Sequence, residues 1–396
     1  MTQFVLFRWA HLQIELLIAL QSPEAVEARL GKLPHGLAEA YDELYERTES
    51  YDRIYLQRAV KWVLYAFDPL STEQLLSAVQ LRLVDGHDDP VLDTRNRRLS
   101  VEALENICRH LIVRGDRDEW AFSHTSVQEY FREKKHHRKW TNEDAQIEVA
   151  MLSLLALIDT VQYLIASVSL RSIVSLWHPD SEKTFEDYVA QYWVSHIKSL
   201  QYLPYEIRKP ISKVLRKFMI SSTDPGDSAV EYRTWLKYVR KRQLLILGKG
   251  DSRVWVDDLM PTKNPAFGIV SLGLDLDEEK WAKDSLQLHL GDFNYLGLDT
   301  LSLAAKYGSV GFRHQLMDLG IRLNTVSPIG SSALNEAIKS RNLNCVAEFL
   351  ERNADPNLDT NSCPLCQAAR QKCPELVRLL LKYGALPDAL YRDCLF

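Results

Sequence analysis

A chain of 396 residues, 46% hydrophobic and 26% charged, is long enough to bury a substantial core and to form roughly two to four domains. A net charge of −5 and a pI near 6.2 exclude a chain-wide cationic footprint for nucleic acid. Six cysteines spread over such a length do not make a disulfide scaffold, so reduced thiols inside the cell are expected.

The opening stretch, MTQFVLFRWAHLQIELLIAL, is apolar, but Arg8, His11, Gln13 and Glu15 break it before about 18 uncharged residues accumulate. No small-residue cleavage site follows, which argues against a signal peptide. Phe7, Ala10, Ile14, Leu17 and Ile18 recur at helical spacing and predict an amphipathic helix packed in the interior. SPEAVEARLGKLP reads as a capped helix ending at Gly31 and Pro34. HGLAEAYDELYERTES begins another, with Leu37, Tyr41 and Leu44 on one stripe. These helices make residues 1–50 a helical linker.

Residues 51–138 have a more diagnostic order. LQRAVKWVLYAF is a helix that stops at Asp68-Pro69, and LSTEQLLSAVQL restarts at once, with Ser71 and Gln74 spaced as a capping box. The polar run VDGHDDPVLDTRNRR reads as a loop to a third helix starting at Ser100. LIVRG and EWAFS flank a Gly-Asp-Arg-Asp turn and predict a β-hairpin, which runs into HTSVQEYFREK, a helix capped by Thr125 or Ser126. Three helices and then a hairpin is the order of a winged helix. Residues 139–262 are again helical. AQIEVAMLSLLALIDTVQYLIASVSL is a core helix or two, FEDYVAQYWVSHIKSL is aromatic and amphipathic, and KYVRKRQ reads as a solvated helix face.

The segment 263–396 repeats itself. DTLSLAAKYGS, SSALNEAIKSRN and SCPLCQAARQKC align on Leu301, Leu334 and Leu365, spaced 33 and 31 residues apart. The unit ends align on Asn324, Asn357 and Asp388 with the same spacings. That period, with a T-P-L-H-x-A-like opening, is the ankyrin signature of a β-turn and two helices per unit. Ala304, Ala337 and Ala368 let neighbouring helices approach, while Gly320, Asn353 and Gly384 sit where the second helix ends in a left-handed cap. Three units are clear from about residue 298, and NPAFGIVSLGLDLDEEKW reads as a degenerate first unit.

Five of the six cysteines lie after residue 344: Cys345, Cys363, Cys366, Cys373 and Cys394. A lone C-x-x-C is a weak zinc or thiol-disulfide signal, and no second ligand pair follows it. In the repeat register Cys363 and Cys366 replace the Thr and His of the box, which makes them half-buried substitutes at a helix start. Any metal or redox role for Cys363, Cys366 or Cys373 stays open at the level of sequence.

FRWAHLQIELL, KLPHGLAEAYDELYERT, AVKWVLYAFDPLSTEQLLSAV, LENICRHLIV and FSHTSVQEYF occur in the order seen in fungal NACHT-ankyrin proteins, and YVAQYWVSHIKSL resembles their aromatic helix before the repeats. The chain thus resembles the part of these NLR-like signalling ATPases that follows the nucleotide-binding domain. The resemblance implies a mainly α protein: linker, winged helix, helical region and ankyrin solenoid. The family's ATPase needs G-x-x-x-x-G-K-[ST], which is absent from the 396 residues, since LGKGDS at 247–252 lacks the upstream glycine spacing. The sequence is either a piece of a longer reading frame or a paralogue without the motor.

Three function classes remain to be weighed. Ser123, His124 and Ser126 in FSHTS invite a nucleophilic reading, but a triad is built by geometry and a strand end leading to a capped helix explains them. His136-His137 reads as solvated linker. A DNA-binding winged helix would present SVEALENICRHL, whose Glu102 and Glu105 outnumber Arg109 where phosphates would lie. Protein recognition fits best, through the variable residues of the inner helices, Lys306, Tyr307, Lys339 and Arg341. The expectation is a non-enzymatic, cytoplasmic or nuclear interaction protein with no cofactor, metal, nucleotide, nucleic acid or membrane, and with a protein partner.

Overall fold

The computed structural model describes residues 22–30, 36–46, 48–85, 90–93, 99–109, 111–133, 143–166, 184–242, 254–274, 279–358 and 360–387, with Ala10, Ile14, Leu17 and Ile18 before them. The protein is mainly helical and divides into two compact units, Met1–Ala156 with Glu182–Val189, and Leu157–Ser181 with Ala190–Phe396. His136-His137, LGKGDS, Asp388 and Cys394 lie outside the described residues.

In the first unit, α1 (Pro23–Leu30) and α2 (Leu37–Glu46) precede α3 (Ser50–Tyr65). Ile14 and Ile18, expected on a buried stripe, are 55% and 77% exposed, while Ala10 and Leu17 of the same stripe are half-buried. Helix α3 buries Leu56, Ala59, Val60, Trp62 and Leu64 and stops at Ala66, whose extended backbone precedes Asp68-Pro69. The capping box of α4 (Thr72–Gln80) is formed in both directions: Gln74 N–H donates to Ser71 Oγ at 3.3 Å, and Ser71 N–H to Gln74 Oε1 at 3.0 Å.

The loop expected after α4 contains a short antiparallel ladder, β2 (Arg82–Asp85) and β3 (Pro90–Asp93), with Leu83 opposite Leu92 and Val84 opposite Val91. The charges around Asp85-Gly86 hide that alternation in the sequence. Ser100 caps α5 (Val101–Cys108), accepting from Ala103 N–H at 3.1 Å. Strands β4 (Ile112–Arg114) and β5 (Glu119–Phe122) make the hairpin, and β1 (Leu70–Ser71) adds a third strand against β5. Asp118, in a left-handed turn, fastens the hairpin to α4: its carboxylate accepts from Thr72 N–H at 3.0 Å and from the Thr72 hydroxyl, which itself accepts from Trp120 Nε1–H at 2.9 Å. The next helix, α6 (Thr125–Arg132), is capped by His124 rather than Thr125 or Ser126. The extended backbone of His124 aims ring Nδ1 at the Ser126 amide, 3.1 Å away.

Helix α7 (Glu143–Ala166) is a single 24-residue helix. Among the described residues it is long and apolar enough to cross a membrane, yet half of its most apolar stretch is buried in protein, as in a core helix. Of α8 (Phe185–Lys198), the part from Ala190 onwards belongs to the second unit, where it meets α9 (Tyr205–Met219) and α10 (Val230–Arg242) in an aromatic cluster. Trp193 stands edge-on to Phe218 and Trp235, with centroids 5.3 and 5.2 Å away. Trp235 Nε1–H donates to Ala190 O at 2.8 Å, so the buried indole is satisfied.

After a 3₁₀ turn at Val256–Leu259 the helices alternate seven and nine residues: α11 (Pro265–Ser271), α12 (Lys280–Leu288), α13 (Thr300–Lys306), α14 (Val310–Asp318), α15 (Ala333–Lys339), α16 (Leu343–Glu351), α17 (Pro364–Arg370) and α18 (Pro374–Lys382). The box alanines Ala304, Ala337 and Ala368 are fully buried. Gly320, Asn353 and Gly384 hold φ of 88°, 66° and 90°, the left-handed caps expected of them. Leu301 and Leu334 are buried, but Leu365 is only half-buried, because no further unit is described against its outer side.

Candidate functional site

The repeats organise their surface through three recurring devices. First, the residue before each seven-residue helix caps it. Asp299 accepts from Ser302 N–H at 2.7 Å, Ser332 from Asn335 N–H at 3.3 Å, and the Cys363 sulfur from Cys366 N–H at 2.9 Å. Secondly, Asn324 and Asn357 reach into the following unit. Asn324 accepts from Asp355 N–H and donates to Asn353 O (2.9 and 3.1 Å), and Asn357 accepts from Leu386 N–H and donates to Gly384 O (2.8 and 2.9 Å). The 33-residue spacing of these asparagines has that bonding as its cause.

Thirdly, tight turns project ahead of the helices. Gly297 N–H donates to Asn294 O at 2.9 Å, and Gly330 N–H to Ser327 O at 2.8 Å. Gly330 has φ of 69°, and a Cβ there would stand 2.3 Å from the Asn361 side chain, so the next turn stacks directly on it. Around these turns stand exposed apolar side chains: Tyr295 (70%), Leu296 (40%), Val326 (39%) and Ile329 (50%). Sequence reading missed them. The signal was available, because Leu296 and Ile329 sit 33 residues apart at positions where solvent-facing turns favour polar residues.

The four residues expected to contact a partner are placed unequally. Lys306 and Tyr307 turn inwards. Both carboxylate oxygens of fully buried Asp258 accept from Lys306 Nζ at 2.8 Å, and one accepts from the Tyr307 hydroxyl. Burial and the Asp258 charge push the Tyr307 phenol up. This cluster ties the 3₁₀ turn to the first clear repeat. Lys339 pairs with Glu336 at 2.7 Å but keeps 41% of its side chain exposed, and Arg341 Nε–H donates to Gln371 at 3.0 Å on the surface. The structure brings Lys306 and Tyr307 together as an internal anchor and leaves Lys339 and Arg341 outward. Lys306, Lys339 and Arg370 are register equivalents that close the three inner helices, and Lys372 is the equivalent of Arg341.

Cys363 and Cys366 form a disulfide, with Cα atoms 5.1 Å apart. This corrects the expectation of reduced thiols. The capping geometry explains it: N-cap and third helical positions bring the two thiols within bridging range. Cys108, Cys345 and Cys373 are free. Among the described residues no group of three His, Cys, Asp or Glu side chains converges as a metal site. At the other candidate constellation, His124 Nδ1 lies 2.7 Å from Ser126 Oγ, which also bonds the Tyr41 hydroxyl at 2.8 Å. The pair meets because Nδ1 caps α6, and the Ser126 oxygen is shared with a tyrosine.

Residues 301–390 match the family model for ankyrin repeats, in three copies. Over 75 residues the chain is 36% identical to mouse protein phosphatase 1 regulatory subunit 27, a stretch covering 18% of this chain and 49% of that protein. The chain therefore spans about half the length of the curated relative it matches. Its C-terminal part is a stack of ankyrin repeats, an architecture whose turns and inner helices bind other proteins.

Proposed function

We propose that the chain is a non-enzymatic recognition module that holds an acidic protein segment across its repeats. The observation that carries this is the set of exposed apolar turn residues Tyr295, Leu296, Val326 and Ile329 ahead of the first two clear units, in a stack whose second and third units carry exposed Lys339, Arg341, Arg370 and Lys372. Apolar anchors supply desolvation energy and cations supply orientation and partner choice. The mouse relative's name marks that protein as a regulatory subunit. Its likeness to part of this chain supports protein binding here and leaves the partner's identity to experiment.

In this reading α3, α4, α5 and the hairpin form a winged helix that packs against protein, in an NLR-like arrangement of linker, winged helix, helical region and repeats, with Pro265–Leu288 as a degenerate first repeat. A DNA-reading role finds little support on α5: Glu105 is paired with Arg114 at 3.0 Å, and Arg109 Nε–H donates to its own helix at Asn106 O. The test is quantitative affinity purification with the full chain, its Tyr295→Asp/Ile329→Asp variant and a Lys237→Gln control. The proposal expects a defined partner set lost with the turn variant and kept by the control. Equal recovery with both would refute it. The chain should release no phosphate from Mg-ATP above the buffer rate, because the phosphate-cradling glycine loop that positions the reacting group is absent from this sequence.

A further inference from the structure

Charge is unevenly distributed along this chain. Residues 205–242 contain ten Lys and Arg against four Asp and Glu, a net of +6 in a chain whose total is −5. The cations form outward stripes. Lys209, Lys213, Arg216 and Lys217 are exposed on α9 while Ile211, Val214, Leu215 and Phe218 are buried, and α10 repeats the pattern with Lys237, Arg240 and Lys241. Along most of their length these stripes are ordinary solvated helix faces.

The end where α9 hands over to α10 is different. The connecting loop closes on itself through Ser221 N–H to Asp227 O and Ala229 N–H to Met219 O, both 2.9 Å. Beside it lies a cleft of about 580 Å³, lined by Arg216, Lys217 and Arg233 and by Ser221, Ser222 and Thr223. That volume falls within the roughly 300–1,000 Å³ of small-molecule sites. Among the described residues the Arg216 guanidinium has no hydrogen bond or ion pair, and that of Arg233 is steadied by one bond, from Nη1–H to Ser228 O at 2.9 Å, leaving other N–H groups of its fork available. The single acid on the wall, Glu231, pairs with none of the three cations. Asp224 and Asp227 are outside the lining, and Asp224 is turned back to accept from Gly226 N–H at 2.9 Å. Ser222 is exposed, and its hydroxyl has no partner among the described residues.

We propose that this cleft binds the phosphoryl group of a small phosphorylated molecule. Arg216 and Arg233 face the cleft with Glu231 as the single acid of its lining, so its walls are net positive and suit a phosphate monoester, whose charge is about −1.5 to −2 at neutral pH. Two guanidinium forks suit tetrahedral oxygens better than a carboxylate's two, and the Ser and Thr hydroxyls can donate to the oxygens that remain. The cation stripes along both helices raise the local concentration of such an anion without specifying it.

The test is isothermal titration of the full chain with pyrophosphate and with soluble inositol trisphosphate, beside flotation on phosphatidylcholine vesicles with and without phosphatidylinositol bisphosphate. Binding is expected to weaken about tenfold or more in Arg216→Gln, which removes one charge-assisted contact, and less than about twofold in Lys237→Gln, which removes the same charge from the stripe alone. The Arg216 side chain is exposed and makes no bond to the described residues, so its variant should fold as the parent does by circular dichroism. Saturable binding of the soluble probes with that contrast would identify a free metabolite as the source of the phosphate. Binding confined to the phosphoinositide vesicles, with the same contrast, would identify a lipid headgroup. Absence of binding to every probe overturns the proposal, and so does equal weakening in the two variants, which would make the region a diffuse counter-ion surface.

Discussion

Arg341 and Lys372 hold left-handed backbone, with φ of 54° and 53°, where the first clear repeat has Gly308 at 70°. A side chain in that region costs about 1 kcal/mol or more that glycine avoids. Arg341→Gly should therefore raise stability by about 0.5–1 kcal/mol, seen as a higher denaturant midpoint at unchanged slope. A lower midpoint would mean that the Gln371 hydrogen bond outweighs the backbone strain. The buried thiols make a second residue-scale prediction. Burial pushes Cys108 up to about 12 from an ordinary 9.0, and does the same to Cys345, with Arg313 opposing and Glu348 assisting. Between those values the folded chain retains protons that the unfolded chain gives up. Their contribution to stability is thus complete below pH 9 and is lost as pH rises towards 12. Melting temperature should fall across that interval, and less steeply in Cys345→Ala. At neutral pH a maleimide should modify Cys373 well before either buried thiol, tested in a Cys394→Ser background.

At the scale of elements, the repeat period was legible because packing dictates it. Every unit needs a small residue where helices touch and a left-handed cap where the second helix ends. The β2–β3 ladder was not legible, since its few apolar residues are embedded in charge, and neither was the His124 cap, since imidazole is an uncommon cap. Lys306 and Tyr307 looked like contact residues because they vary within the register. Only the fold reveals Asp258, 48 residues earlier in the chain, beneath Lys306. Asp258→Ala should cost roughly 3 kcal/mol, because it removes the partner of a half-sheltered ammonium and leaves a phenol unpaired. Leu334→Ala should cost roughly 2–5 kcal/mol through cavity formation, and Leu365→Ala clearly less, because Leu365 is already half in water. Equal losses in the two leucine variants would contradict the register that makes them equivalents.

For the whole molecule, the unit-end asparagines point one way, while the turn residue Asn361 points back, its Nδ2–H donating to Ile329 O at 2.8 Å. Asn324 and Asn357 each bind the backbone of the unit after their own, and Asp258 grips the first clear repeat from the residues before it. A stack built so is fastened at its leading end by Asp258, and each later unit is held to its predecessor by bonds that run in both directions. Under load such a chain comes apart like a zip. A force applied at the C-terminus should peel one unit of about 33 residues at a time, last repeat first, with each event leaving the units upstream intact. A repeat lost at the trailing end would leave two asparagines to re-satisfy, Asn357 and Asn335, whereas excising the unit of Leu334 would break the stack's attachments on both sides.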